Sequence, residues 1–341
     1  MVERLNGIQK VRGSSPLGST IYFCAALFSK FQKNPVSRLA WWPALLWAAL
    51  SGAAETNTVT PAAGPSSVTL PLELKRGHFV VPAQVSGSNS VWLMLDSGFS
   101  ITMIDPKLAQ MLSLKQIGHT TITGIAGEEQ ADVFEGVPFD FAGATYLPHR
   151  VAALPSEAKK RSRRLEGILG SGFFRRFVLE IDPRTKTIKL HDPKTYNYAG
   201  SGEVLPLRLR NSAPVVEAAI IIPGRPPIQG RFEIDTGCDG GLCLGHDFVE
   251  ANHLLEPEGE VRKGGRTGVG GDAQTRIGSV PQLQLGRLTV NNPEVNFFLQ
   301  GSPVDRGHAG HIGVEVLRQF RIVFDYARQR MLLESYAPPK P

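Results

Sequence analysis

Two short strings in this sequence place an acid where paired proton chemistry is feasible: Asp96-Ser97-Gly98 and Asp235-Thr236-Gly237. A single Asp-Ser/Thr-Gly is commonly a β-turn, with the Asp bonding its own backbone and the Gly taking positive φ. Two copies, each at the end of an apolar run, call for more. Breaking an amide without a metal or a covalent nucleophile requires a water to lose a proton and the amide to gain one. Two carboxyl groups sharing one proton do both, because at about 3 Å apart they cannot both ionise. Their protons leave in steps that belong to the pair. In this reading Asp96 and Asp235 supply the carboxyl groups. Ser97 and Thr236 supply hydroxyls that cross-brace the two loops, and Gly98 and Gly237 allow a tight turn and close backbone approach.

The elements around the two strings repeat in one order. Leu70-Pro71-Leu72-Glu73-Leu74 opens the first half and Leu205-Pro206-Leu207-Arg208-Leu209 the second. Val91-Trp92-Leu93-Met94-Leu95 and Arg231-Phe232-Glu233-Ile234 then read as strands leading into Asp-Ser/Thr-Gly. A short helix follows: Asp105 as N-cap and Pro106 at the first helical position predict one over 107–112, and apolar spacing predicts its counterpart over 247–255. Gly-rich turns recur at 123–127 and 267–271. Ile168-Leu169-Gly170 and His311-Ile312-Gly313 precede further short helices, and the strands 178–182 and 322–326 close each half. The expectation is an internal duplication: two β-rich lobes, 68–200 and 201–337.

These motifs resemble the aspartic peptidases, in the fused, two-lobed retropepsin-like form found in bacteria. The resemblance implies an all-β fold of two homologous lobes with short helices, a cleft between them and at least one hairpin flap over it. It implies Asp96 and Asp235 as the catalytic pair, with Leu169-Gly170 and Ile312-Gly313 beside their loops. Gly124, Gly127, Gly268 and Gly270 fall in the flap turns. Asp239 is a candidate to bond the substrate backbone, with Ser100 at the matching place in the first half. Phe99 and Cys238 depart from the small residue that usually follows the Gly. The implied activity is that of an aspartic endopeptidase acting on a peptide or protein substrate, with no cofactor and no metal, and with one chain sufficient for the site. The alternative is a β protein of the same fold that binds peptides without cutting them, its two acids being structural turn residues.

Composition is that of ordinary globular material, and 36 Gly with 25 Pro favour many short strands. Residues 1–54 carry six basic side chains against one acid, so the formal +6 falls to about +1 over residues 55–341. No nucleic-acid partner follows from that balance. The apolar run 39–50, preceded by Lys33 and Arg38 and followed by small residues, reads as a targeting signal. It predicts a periplasmic or secreted protein, with membrane association only if the segment is retained. Residues 1–35 are unlike a normal signal start, which predicts translation from near Val36. Residues 55–67 read as a linker.

Other signals have plainer readings. Cys238 and Cys243 are the only cysteines outside the presequence, and they could pair in an oxidising compartment. The glycines at 268–271 fit a hairpin tip better than a dinucleotide fingerprint. The basic run 159–164 reads as a solvated loop. His308 and His311 read as surface or loop histidines. A glycosidase also uses two carboxyl groups but does not require this framework.

Overall fold

The computed structural model describes residues 67–124, 127–154, 166–255, 261–268, 271–301 and 307–336. The targeting segment, the linker up to residue 66, the basic run 159–164 and Gly270 lie outside these residues. Ser67, read as linker, is the first residue of a strand.

The fold is all-β and bilobal. The first lobe is a ten-stranded sheet. Its strands lie in the order Gln116–Gly124, Gly127–Phe134, Val151–Ala153, Thr102–Ile104, Gly167–Leu169, Val91–Leu95, His78–Val85, Phe139–Phe141 and Ala144–Tyr146. Glu73–Lys75 pairs alongside His78–Val85. The second lobe repeats this order strand for strand: Arg262–Gly268, Gly271–Ser279, Glu294–Phe298, Leu242–Leu244, Gly310–Ile312, Ile228–Ile234, Ala213–Ile221, Gln282–Leu285 and Leu288–Asn291. Arg208–Arg210 takes the place of Glu73–Lys75. The short central strands are apolar on both faces, and Thr102–Ile104, Gly167–Leu169 and Leu242–Leu244 are buried along their whole length. That is why they read as continuous apolar runs rather than as alternation.

The closing strands of the two halves merge into one sheet, which the repeat alone does not reveal. Ser67–Pro71, Thr187–His191 and Val178–Asp182 from the first half continue into Phe320–Asp325, Arg330–Ser335 and Glu203–Pro206 from the second. The halves meet antiparallel, with Leu179 opposite Phe324, Glu180 opposite Val323 and Ile181 opposite Ile322. Phe174, from the helix Ser171–Arg176, packs on this sheet with ring centroids 5.2 Å from Phe324 and 5.6 Å from Tyr326. Apolar burial and edge-to-face rings thus join the halves behind the site.

Of the two helices that follow the Asp-Ser/Thr-Gly loops, the first has the predicted length and the second is shorter than apolar spacing predicts. Pro106–Met111 forms on the Asp105 cap, whose Oδ1 accepts from the Lys107 amide at 2.7 Å. The counterpart is His246–Ala251 rather than 247–255. Each helix is followed by a left-handed residue, Ser113 (φ 50) and His253 (φ 48). The next amide then turns back onto the helix, from Leu114 to the Ala109 carbonyl and from Leu254 to that of Val249. Leu254 and Leu255 still pack on the core, so their spacing was read correctly as apolar contact but not as helix.

Glu180 sits at the seam between the halves. It bonds His191 at 3.1 Å, pairs with Arg321 from the second half, and has Lys189 at 3.6 Å. The His191 hydrogen bond and the Arg321 and Lys189 charges, working against burial, bring its carboxyl from 4.5 down to about 2. A depressed folded-state value means stability that is fully present above the unfolded value and lost as pH falls through the folded one. Glu180→Gln is therefore expected to lower stability at pH 6 by about 1–3 kcal/mol. The difference from wild type should shrink as pH falls from 4.5 towards about 2, as measured by chemical denaturation at a series of pH values.

Candidate active site

The two Asp-Ser/Thr-Gly loops meet, and their backbones are held alike. The Asp96 amide donates to the Leu169 carbonyl and the Asp235 amide to that of Ile312, both at 3.0 Å. Beyond each Gly, Ser171 N–H donates to the Phe99 carbonyl at 2.7 Å and Val314 N–H to the Cys238 carbonyl at 2.8 Å. The Leu169-Gly170 and Ile312-Gly313 strings thus lie beside the two loops.

The hydroxyls cross from one loop to the other. Ser97 N–H donates to Thr236 Oγ1 at 2.9 Å, and that hydroxyl donates to the Leu95 carbonyl at 2.9 Å. In return Thr236 N–H donates to Ser97 Oγ at 3.0 Å, whose hydroxyl donates to the Ile234 carbonyl at 2.6 Å. Ser97 and Thr236 are both fully buried. Each Gly then lies against the carboxyl group of the other loop. A methyl group built on Gly98 would stand 2.9 Å from Asp235 Oδ1, and one on Gly237 would come closer still to Asp96. Only glycine leaves room for the two acids to face one another.

The two aspartates are equally exposed, at 9% each, but their carboxyl groups are shifted in opposite directions. Burial, and then repulsion from Asp235, push Asp96 well above the ordinary 3.8. Burial also works to raise Asp235. The charge and hydrogen bond of His311, with the Gly237 amide at 2.8 Å from Asp235 Oδ1, outweigh it and bring Asp235 below 3.8. The proton shared by the pair is thus biased towards Asp96 and the negative charge towards Asp235.

Residues 81–173 match the family model for aspartyl proteases. The match covers Asp96-Ser97-Gly98 and the Leu169-Gly170 string, and it supports an aspartic peptidase at the level of the family. No curated protein matches the chain. Asp235 lies outside the matched aspartyl-protease segment. It is tied to Asp96 by the matched strand order and the reciprocal hydrogen bonds.

The histidines correct an expectation. His308 and His311 are not surface residues: they are 6% and 8% exposed. His311 Nδ1 lies 3.0 Å from Asp235 Oδ2, and its Nε2 lies 3.6 Å from Glu233 Oε2. His308 Nδ1 stands 3.4 Å from the other oxygen of Glu233. The available signal was position: His311 occupies the place in the second lobe that Ile168 holds in the first, one strand away from the acid. Cys238 and Cys243 are free thiols with sulfurs 3.5 Å apart. The hydrogen bond from Cys243, outweighing burial, draws Cys238 well below its usual 9.0.

Of the remaining predicted residues, Ser100 and Asp239 follow the two loops in sequence and the described glycines end two hairpins. Asp239 is ion-paired with Arg266 at 2.6 Å, and Arg266 also donates to Cys238 Sγ at 3.2 Å. Ser100 is exposed, and its carbonyl accepts from the Ser171 hydroxyl at 3.4 Å. Gly124 pairs with Gly127, and Gly268 with Gly271, at the ends of two β-hairpins; the hairpin reading of these glycines therefore fits. Among the described residues no cluster of three or more His, Cys, Asp or Glu is placed to hold a metal ion. None of their helices is long and apolar enough to cross a membrane.

Removing one cross-brace hydroxyl orphans buried partners. Thr236→Val leaves the Ser97 amide and the Leu95 carbonyl unsatisfied, at a cost of about 1–3 kcal/mol per group. Ser97→Ala acts alike on the Thr236 amide and the Ile234 carbonyl. The double variant is expected to lose less than the sum of the singles, because both act on one network; denaturant midpoints of the four proteins measure the coupling.

Proposed function

We propose that this protein is a single-chain, two-lobed aspartic endopeptidase of the retropepsin-like kind, exported to the periplasm or secreted, that cuts peptide or protein substrates. The observation that carries this reading is the facing of Asp96 and Asp235 across reciprocally bonded loops, with Asp96 shifted up and Asp235 shifted down from the ordinary carboxyl value. We read the two matched sheets as the product of an internal duplication.

In this reading a water lies between the two carboxyl groups. Asp235 takes its proton as the oxygen attacks the amide carbon, and the Asp96 proton goes to the carbonyl oxygen. The tetrahedral intermediate collapses when Asp235 returns its proton to the leaving nitrogen and Asp96 recovers one from the hydroxyl. The pair ends with one proton, as it began. An extended peptide suits a site flanked by two β-hairpins, since strand-like pairing fixes the backbone.

Asp96→Asn and Asp235→Asn are each expected to lower cleavage of a mixed peptide library by at least about a hundredfold while far-UV circular dichroism is unchanged. Wild-type activity should fall on the acid side as Asp235 gains its proton, below 3.8. On the alkaline side it should fall as Asp96 loses its own, above the usual carboxyl range. Equal, negligible cleavage by wild type and Asp96→Asn from about pH 3 to 8, with retained peptide binding, would favour a binding protein instead.

A further inference from the structure

The two lobes have the same strand order but line the same face with opposite chemistry. In the first, Met94, Met103, Ile122, Ala152 and Ile168 belong to one buried apolar cluster on the strands that lead to and flank the Asp96 loop. Their places in the second are taken by Glu233, Cys243, Arg266, Asn296 and His311. Registers fix these equivalences: Ile168 is opposite Met94 and Met103, as His311 is opposite Glu233 and Cys243. Ala152 is opposite Met103, as Asn296 is opposite Cys243. Ile122 and Arg266 each stand two residues before the glycine that ends the first strand of their hairpin.

The first lobe shows that this architecture closes with apolar side chains at all five positions. Buried ions are costly and are outdone by apolar residues of similar volume in many proteins, so stability is a weak reason for the polar set. What the second lobe gains is a buried imidazole against one acid of the pair. His311 is sandwiched: Nδ1 faces Asp235 at 3.0 Å and Nε2 faces Glu233 at 3.6 Å. Cys238, beyond the Asp235 loop, hydrogen-bonds the ring, and Cys243 lies on the neighbouring strand. Arg266 and Asp239 pair with each other on the far side of Cys238, and His308 reaches the ring only through Glu233. The groups in contact with His311 are therefore two carboxylates and a thiol, with no cation among them. Asp96, by contrast, has Ile168 where Asp235 has His311.

We propose that His311, backed by Glu233, is a positioning residue that keeps Asp235 ionised as the base and thereby assigns the shared proton to Asp96. The proposal rests on the aspartic-peptidase reading of the same two carboxyl groups. A two-fold symmetric pair would leave the proton free to sit on either acid. Here the imidazolium breaks that degeneracy before substrate arrives. Asp235 attraction and hydrogen bonding, outweighing burial, also hold His311 itself well above its ordinary 6.5, which favours the charged ring.

The test compares wild type with His311→Asn, which keeps a side-chain N–H donor but no charge, and with His311→Ile, which restores the first-lobe residue. Two readouts are needed: the pH dependence of kcat/KM on a cleaved peptide, and carbon-13 NMR titration of the Asp carboxyl groups and the His311 ring. In His311→Asn both limbs of the pH profile should move to higher pH, the acid limb by roughly one unit or more, a tenfold loss at a fixed pH on that limb. Burial then acts on Asp235 unopposed, and Asp96 loses a nearby cation. A fall in amplitude with unmoved limbs would overturn the proposal and leave His311 a packing residue. Wild type needs no variant to fold: a His311 ring that titrates near 6.5, or two aspartates that titrate alike, would overturn it equally. The NMR arm separates this claim from the peptidase reading. If Asp96→Asn costs no activity but the carboxyl groups of the wild type titrate far apart and converge in His311→Asn, the peptidase reading falls and the positioning role stands.

Discussion

The reciprocal hydrogen bonds between Ser97 and Thr236 are the constraint on which the site depends. Each hydroxyl accepts from the other loop's amide and donates to a carbonyl just before the other loop's acid. All of these groups are buried away from water, so a shift of either loop would strand several polar atoms together, and the arrangement is stiff for that reason. The small residues follow from it. With the loops this close, a side chain at Gly98 or Gly237 would occupy the space of the opposing carboxyl group. The six-stranded sheet behind the loops adds a coarser restraint, since the seam between Val178–Asp182 and Phe320–Asp325 fixes how the halves align.

On that symmetric frame the electrostatics are asymmetric. Both acids are buried to the same degree, so desolvation alone would treat them alike. The difference comes from one strand of the second lobe, Gly310–Ile312, where His311 stands within hydrogen-bond distance of Asp235. Burial strengthens this effect, because few waters are left to screen the imidazole from the carboxylate. Glu233 supports the far side of the ring and helps keep it charged. The thiol pair and Arg266 extend the polar region towards the second hairpin, so the environment of Asp235 is polar where that of Asp96 is apolar.

Much of the fold was legible because it is written twice. Apolar runs ending in Asp-Ser/Thr-Gly, the Gly-rich hairpin ends and the closing strands recur in one order, and local rules suffice to read each one. The Asp105 cap and Pro106 located the start of the first helix. The end of the second helix was not legible, because it depends on a left-handed turn at His253 that apolar spacing does not announce, while Leu254 and Leu255 remain apolar for tertiary reasons. The merged central sheet was hidden too, since a repeat states what each half contains and not which edges meet. His311 was misread for the same cause. Its neighbours in sequence, Gly310 and Ile312, suggest a short loop or strand, whereas its chemistry comes from Glu233 on the strand beside it and Asp235 just past that strand's end, almost eighty positions away. Only registry across the sheet brings them together.

The covalent union of the halves has an evolutionary corollary. In an enzyme assembled from two identical subunits, any substitution beside one aspartate appears beside both, and a histidine against each acid would favour two carboxylates where the chemistry requires an acid and a base. Carrying Ile168 and His311 on one polypeptide frees the surroundings of the two acids to differ. A gene encoding both halves can thus explore proton assignments that strict homodimer symmetry forbids.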